Sequence, residues 1–128
     1  MIERQHVALR EDIERVQDAF TSGADEHEIL KCRTTLFSRL DAHMAFEEGL
    51  MRRHAYPLAS LHTTAHHAFH DQFKAVMTGV DDGIVSHANI STLLTKVLKH
   101  HEVNHDDLFG YFLIDRYVLE AVEDGGGI

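Results

Sequence analysis

Histidine is the residue type in this chain that most directly suggests chemistry. There are twelve histidines among the 128 residues, and they are dispersed rather than gathered in one terminal run. His43 and Glu47 are four residues apart, and so are His62 and His66. Residues at this spacing share one face of a helix, about 6 Å apart along its axis, so each pair could chelate one metal ion. Nitrogen and oxygen ligands without thiolate suit iron, manganese or zinc.

Four segments would have to position these side chains. In each segment apolar residues recur at steps of three and four, as in an amphipathic helix. The segments cover about residues 2–20, 25–53, 57–79 and 87 onward. Pro57 is expected in the first turn of the third helix, and Leu50 is expected at the end of the apolar stripe of the second. The stripes also include several ionisable residues: His6, His43, Glu47, His62, His66 and His101. Burying so many polar groups without partners would cost several kcal/mol, so a shared metal centre is favoured.

The arrangement of these segments predicts the fold. Short breaks between long amphipathic helices indicate an all-α protein, an up-down-up-down antiparallel four-helix bundle. The run 108–122 predicts a short C-terminal helical extension. We assign residues 1–124 to the bundle domain and residues 125–128 to a glycine-rich tail or linker stub.

Composition argues against several classes of protein. The formal charge of -9 disfavours nucleic acid as a partner, because phosphates require a basic surface. No apolar run approaches the roughly 18 residues of a membrane span, and the first residues lack the apolar core of a signal peptide. Cys32 is the one cysteine, so an internal disulfide is impossible. We therefore expect a cytoplasmic protein that interacts with neither nucleic acid nor membrane.

Four stretches of the sequence resemble a known family. "IERQHVAL", "HMAFEEGLM", "YPLASLHTTAHHAF" and "VLKHHEVNHD" are similar to the four helix motifs of hemerythrins and bacterial hemerythrin-like domains. The resemblance covers nearly the whole chain. The first motif departs from it in one respect, since the family usually has aspartate where Glu3 stands.

The resemblance implies a non-haem centre of two iron ions with an oxo or hydroxo bridge. The implied ligands are His6, His43, Glu47, His62, His66, His101 and Asp106. His62, His66 and His101 would bind one iron, while His6 and His43 would bind the other. Glu47 and Asp106 would bridge them, which leaves the second iron with an open position for dioxygen. Glu48 lies about 100° around the helix from Glu47 and is expected to face another helix or solvent.

The last motif raises a geometric difficulty. His101 and Asp106 are five residues apart, a rotation of about 500° on an ideal helix, which leaves them some 140° apart. A widened π-type turn would bring both inward. Periodicity alone would instead keep His105 on the apolar face. We favour Asp106, because its spacing matches the family motif.

The resemblance also implies an oxygen pocket beside the open iron. Its residues here are Leu9, Met44, Val97 and Glu102. The family commonly has bulky apolar residues at these positions, including tryptophan in place of Val97 and isoleucine in place of Glu102. The Glu102 carboxylate either turns to solvent or approaches the open iron as a labile ligand or proton relay. Water and a nearby acid would promote loss of bound oxygen, so we expect rapid autoxidation.

These expectations favour an oxygen- or redox-sensing input domain that binds dioxygen, or another small diatomic ligand, reversibly or transiently. Its further partner would be a C-terminal signalling domain of a longer chain. The alternatives are an oxygen carrier or storage protein and a di-iron oxidase or peroxidase, although we expect no enzymatic activity. A ferritin-like carboxylate enzyme could use Glu3 with His6 and Glu102 with His105, but it leaves the other histidines without a role. The last alternative is a metal-free interaction bundle.

Overall fold

A computed structural model describes residues 2–125 of the chain, with side chains for residues 4–117. Its helices are α1 (Ile2–Thr21), α2 (Glu26–Arg53), α3 (Ala59–Asp81), α4 (Ile90–His101) and α5 (Asp107–Gly125). A 3-10 turn over His87–Asn89 leads into α4, and a π-helical segment over Glu102–Asp106 joins α4 to α5 without a break. Within the described range all regular structure is helical, which confirms the all-α prediction.

The ends of α2 show why this long helix begins and ends where it does. Asp25 caps its N-terminus, because its side chain accepts a hydrogen bond of 2.9 Å from the backbone N–H of Glu28. Glu26 lies in the first turn and Arg53 in the last, so each charge is next to the helix end of opposite partial charge and stabilises the helix. The preceding turn contains Gly23 at φ +72°, a left-handed conformation that glycine adopts without strain.

The helices pack as a bundle around two apolar clusters. α1 contacts α2 and α4, and α3 also contacts α2 and α4. The large cluster is the buried set Leu9, Ile13, Val16, Leu36, Leu40, Phe69, Phe73, Met77, Val80, Ile90, Leu94 and Leu98. The small cluster is Met51, Tyr56 and Phe109. On α2, His43 and Glu47 lie between Leu40 of the large cluster and Met51 of the small one, so a polar layer separates the two.

Two local expectations were wrong. The third helix begins at Ala59 rather than Pro57, because the chain first closes a tight turn in which the N–H of Tyr56 donates to the carbonyl of Met51 at 3.0 Å. Met51, rather than Leu50, is the buried residue at the end of α2. Met51 lies four residues after Glu47, and a step of four brings a side chain to within about 40° of the face of Glu47. Leu50 lies three residues after Glu47, and a step of three leaves it about 60° from that face.

The helix that was expected as a C-terminal extension is α5. The expected tail at 125–128 lies outside the described residues, except for Gly125 at the end of α5. In the part of the chain that the structure describes, no helix combines the length and apolar character needed to cross a lipid bilayer.

Candidate metal centre

Each helix of the bundle contributes ionisable side chains to the polar layer. α1 provides one, α2 and α3 provide two each, and the last two come from the end of α4 and the π-helical segment: His6, His43, Glu47, His62, His66, His101 and Asp106. All seven side chains are at most 3% exposed. The seven residues expected from the sequence therefore come together inside the bundle.

The π-helical segment brings His101 and Asp106 to the same face, and the predicted π-type turn is confirmed. The N–H of Asp107 donates to the carbonyl of Glu102, the five-residue step that defines this turn. Asn104 supports the turn, since its side-chain amide donates to the carbonyl of His100 at 2.8 Å. His101 Nε2 consequently lies 2.9 Å from Asp106 Oδ1. His105 remains half-buried at the edge of the layer.

The Asp106 carboxylate stands between two sets of imidazoles. Its Oδ2 atom lies 2.8 Å from Nε2 of His6 and 3.3 Å from Nε2 of His43. Its Oδ1 atom lies 2.9 Å from Nε2 of His62 and, as already described, the same distance from His101. One carboxylate therefore contacts both sets, with one oxygen directed at each.

Glu47 connects the same two sets from α2. Its Oε1 atom lies 2.9 Å from Nε2 of His43, 3.1 Å from Nε2 of His66 and 3.6 Å from Nε2 of His62. Among the described residues, the second oxygen, Oε2, is buried without a hydrogen-bond partner. All five imidazoles thus direct Nε2 at the two carboxylates.

Burial and mutual charge act against each other in this layer. Burial by itself would lower the pKa of His43 and His62, but hydrogen bonds to Asp106 and Glu47 and the charges of these carboxylates raise each pKa to about 9. Burial would raise the pKa of Glu47, yet hydrogen bonds from the imidazoles lower it to about 2. Burial would likewise raise the pKa of Asp106, but its own hydrogen bonds with imidazoles hold that pKa well below its ordinary value. Burial lowers the pKa of His101.

These donors fit metal ions. One group consists of Glu47, His62, His66, His101 and Asp106, and a second of His6, His43 and Asp106; in each, the donor atoms lie within 4.8 Å of one another. A buried carboxylate oxygen without a partner, such as Oε2 of Glu47, is costly unless a cation or a proton satisfies it. Imidazole and carboxylate ligands without thiolate suit iron, manganese or zinc.

Three of the imidazoles have a polar side chain near the outer nitrogen, Nδ1. For His43 it is Gln5, whose Oε1 atom lies 2.7 Å away. For His66 it is Glu48, whose Oε2 atom lies 3.9 Å away on a side chain that is about a quarter exposed. Glu48 therefore faces α3, one of the two directions expected for it. The third imidazole is that of His6.

The structure places the four expected pocket residues in two different environments. Leu9 belongs to the large apolar cluster, and Met44 and Val97 pack against that cluster while half-buried. Glu102 is 8% exposed, and both of its carboxylate oxygens accept hydrogen bonds from Arg10, at 2.7 and 2.6 Å. The reading in which Glu102 turns to solvent is therefore wrong, because Arg10 holds it inside.

Arg10 is the residue that the sequence analysis missed. It is separated from Glu102 by 92 positions, so no local pattern connects the two. The available signal was its spacing from His6, because a residue four positions later lies on the same face of α1.

Comparison with known proteins agrees with this geometry. A family model described as the hemerythrin HHE cation-binding domain matches residues 1–112, which include all seven clustered residues. No curated protein and no solved structure gives a significant match. The family match covers most of the chain, and the clustered histidine, glutamate and aspartate side chains are consistent with cation binding. The chain belongs to the hemerythrin HHE cation-binding domain family.

Proposed function

We propose that this domain holds two iron ions in the polar layer. His62, His66 and His101 would bind one ion, His6 and His43 the other, and Glu47 and Asp106 would be shared. The observation that carries this proposal is the overlap of the two donor groups at Asp106, whose two oxygens face different sets of imidazoles. The contact of Glu47 with both His43 and His66 supports a second shared ligand.

The two proposed ions are not equivalent in their protein ligands. The group around His6 and His43 has one imidazole fewer than the group around His62, His66 and His101. The first group is therefore the proposed place for an exogenous ligand. When bound, a reduced iron pair supplies two electrons to dioxygen at this place. The surrounding residues would bind the ions and keep each Nε2 directed inward.

We propose further that the domain senses oxygen or redox state by binding dioxygen, or another small diatomic ligand, transiently. Support comes from the expected pocket residues. Leu9 belongs to the large apolar cluster, and Val97, a small residue, packs against that cluster together with Met44 while only partly buried. Limited apolar shielding favours loss of the ligand and oxidation of the ions. A C-terminal signalling domain is the proposed partner, and no enzymatic reaction is proposed.

The helix order also remains a proposal. We propose the up-down-up-down antiparallel arrangement for residues 1–124. The short connections between consecutive helices support it. Further support is that α2 passes from the large to the small cluster, whereas α3 passes from His62 to Phe73 of the large cluster.

The test counts ions and then follows oxygen. Purified protein is stripped of metal, reconstituted anaerobically with Fe²⁺ and assayed for iron, and we expect two ions per chain. The reduced protein is then mixed with dissolved oxygen in stopped flow, and the visible absorption that develops is followed. We expect it to decay within seconds to minutes, and more slowly in Val97→Trp. Thr92→Trp, which adds the same ring on an exposed part of α4, is the matched control.

The outcomes separate the alternatives. Uptake of one ion or none would refute the paired centre. Absorption that persists for many minutes in the unmodified protein would indicate a carrier or storage protein and refute the sensing proposal. Oxidation coupled to the turnover of an added reductant or peroxide would indicate an enzyme.

A further inference from the structure

An ion pair with a buried carboxylate borders the imidazole of His6. Arg10 of α1 and Glu102 of the π-helical segment join two helices through two hydrogen bonds of 2.6 and 2.7 Å. The Glu102 side chain is 11% exposed, whereas that of Arg10 is 40% exposed. Burying a carboxylate is unfavourable unless it is paired and hydrogen-bonded, and Arg10 meets both conditions because its Nη2 atom donates to both Glu102 oxygens.

The pair lies on the outer side of the His6 ring. Nε2 of His6 is 2.8 Å from Asp106 and faces the polar layer. Nδ1 lies across the ring from that contact, and Oε1 of Glu102 is 3.8 Å from it. This separation is about 1 Å longer than a direct hydrogen bond, a gap that a small side-chain rotation or one bridging water would close.

We propose that Arg10 and Glu102 are positioning residues for His6. Arg10 fixes the Glu102 carboxylate beside Nδ1 of His6. The carboxylate accepts the Nδ1 proton, directly or through one water, and so keeps Nε2 unprotonated and directed at the metal. This inference rests on the proposed metal function and assigns Glu102 a role that differs from a pocket wall or an iron ligand.

The geometry favours this role over direct ligation. Both Glu102 oxygens are engaged by Arg10, and the carboxylate stands on the Nδ1 side of His6, whereas the donors of the polar layer gather on the Nε2 side. Ligand histidines commonly donate their other ring N–H to a carboxylate, and loss of such a partner typically costs about 10- to 100-fold in metal affinity.

The experiment uses Co²⁺ for optical spectra and Zn²⁺ for NMR of the ring N–H protons. In Glu102→Ala we expect the Co²⁺ affinity of one of the two sites to fall about 10- to 100-fold. The shape of the visible absorption band of the fully loaded variant should match that of the unmodified protein. We also expect the Nδ1 proton of His6 to exchange faster with solvent. Glu102→Gln keeps an acceptor oxygen and should slow that exchange again. Glu11→Ala removes an exposed carboxylate from α1 and is the matched control.

A second pair of variants tests the contribution of Arg10. If Arg10 acts through Glu102, Arg10→Gln weakens Co²⁺ binding in the original protein but adds little to Glu102→Ala. Additive losses would overturn the inference. A changed band shape in Glu102→Ala, as expected on loss of a metal ligand, would also overturn it, and so would unchanged proton exchange. If the unmodified protein bound fewer than two Co²⁺ ions, the proposed function itself would fail. Two ions with no effect of Glu102→Ala would refute this inference alone.

Discussion

The π-helical segment can be tested by removing one residue from it. His101 and Asp106 reach a common centre only because five residues complete the turn between them, whereas a regular helix would leave the two side chains about 140° apart. Deleting the exposed Val103 changes the spacing to four, about 40° from the same face. If Asp106 is replaced by glutamate at the same time, the fourth helix acquires the histidine–glutamate spacing of His43 and Glu47.

We expect this double variant to keep the metal centre. A π turn is an α turn with one additional residue, so the deletion also leaves the helix face after it, including the buried Phe109, in phase. The longer glutamate side chain makes up for the straighter backbone. Iron content after anaerobic reconstitution should remain at two ions per chain, and circular dichroism should show unchanged helicity. Deletion of Val103 without Asp106→Glu should weaken binding, because the aspartate is one methylene shorter.

The control is an alanine inserted between Lys96 and Val97, in the regular part of α4. It rotates His101 by about 100° relative to the preceding turns and should abolish uptake of two ions. If the double variant folds but binds no iron, the π turn must do more than align two ligands, and the reasoning would be refuted. Equal iron content in the inserted and original proteins would refute it as well.

Three further predictions concern the same layer. In protein stripped of metal, the raised pKa of His43 and His62 stabilises the fold below pH 6.5, and this stability is lost as pH rises through about 9. Urea titrations between these pH values should therefore show the free energy of unfolding falling by about 1.4 kcal/mol per pH unit for each extra proton bound in the native state. Iron-loaded protein should not lose stability in this way, because its ligand imidazoles are unprotonated. Equal slopes of stability against pH in the two forms would contradict this prediction. Glu47→Ala should abolish the visible spectrum of the iron pair and Glu48→Ala should largely preserve it, so equal losses would count against Glu47 as the shared ligand. Asn104→Ala should lower the free energy of unfolding by about 1 kcal/mol in chemical denaturation, because the His100 carbonyl loses a donor; no change would show that solvent serves this carbonyl equally well.

The sequence was sufficient to predict which side chains lie together where residue type and spacing repeat regularly. His43 and Glu47 needed only the four-residue step of a helix to be placed together, and the same holds for His62 and His66. The pairing of His101 with Asp106 needed the family resemblance as well, because its five-residue spacing contradicts a regular helix. Membership of the family and the all-α fold follow from these patterns.

The interaction of Glu102 with Arg10 could not be predicted in this way. The two residues are far apart in the sequence, and their contact depends on the rotation and offset of two packed helices, which periodicity does not specify. The end of α2 shows the same limit on a smaller scale. Leu50 and Met51 both continue an apolar stripe, but Met51 is buried with Tyr56 and Phe109, whereas Leu50 packs against them while only partly buried.

The unequal size of the two apolar clusters has a consequence for maturation of the protein. Among the side chains that the structure describes, the large cluster has twelve buried residues and the small one has three, Met51, Tyr56 and Phe109. Local opening costs least where the fewest apolar contacts are broken, so the end closed by the small cluster opens more often. A newly synthesised chain can therefore form its larger end before any ion arrives. Under the proposed function, its ligands would then acquire iron through the smaller end, so synthesis and metal delivery need not coincide.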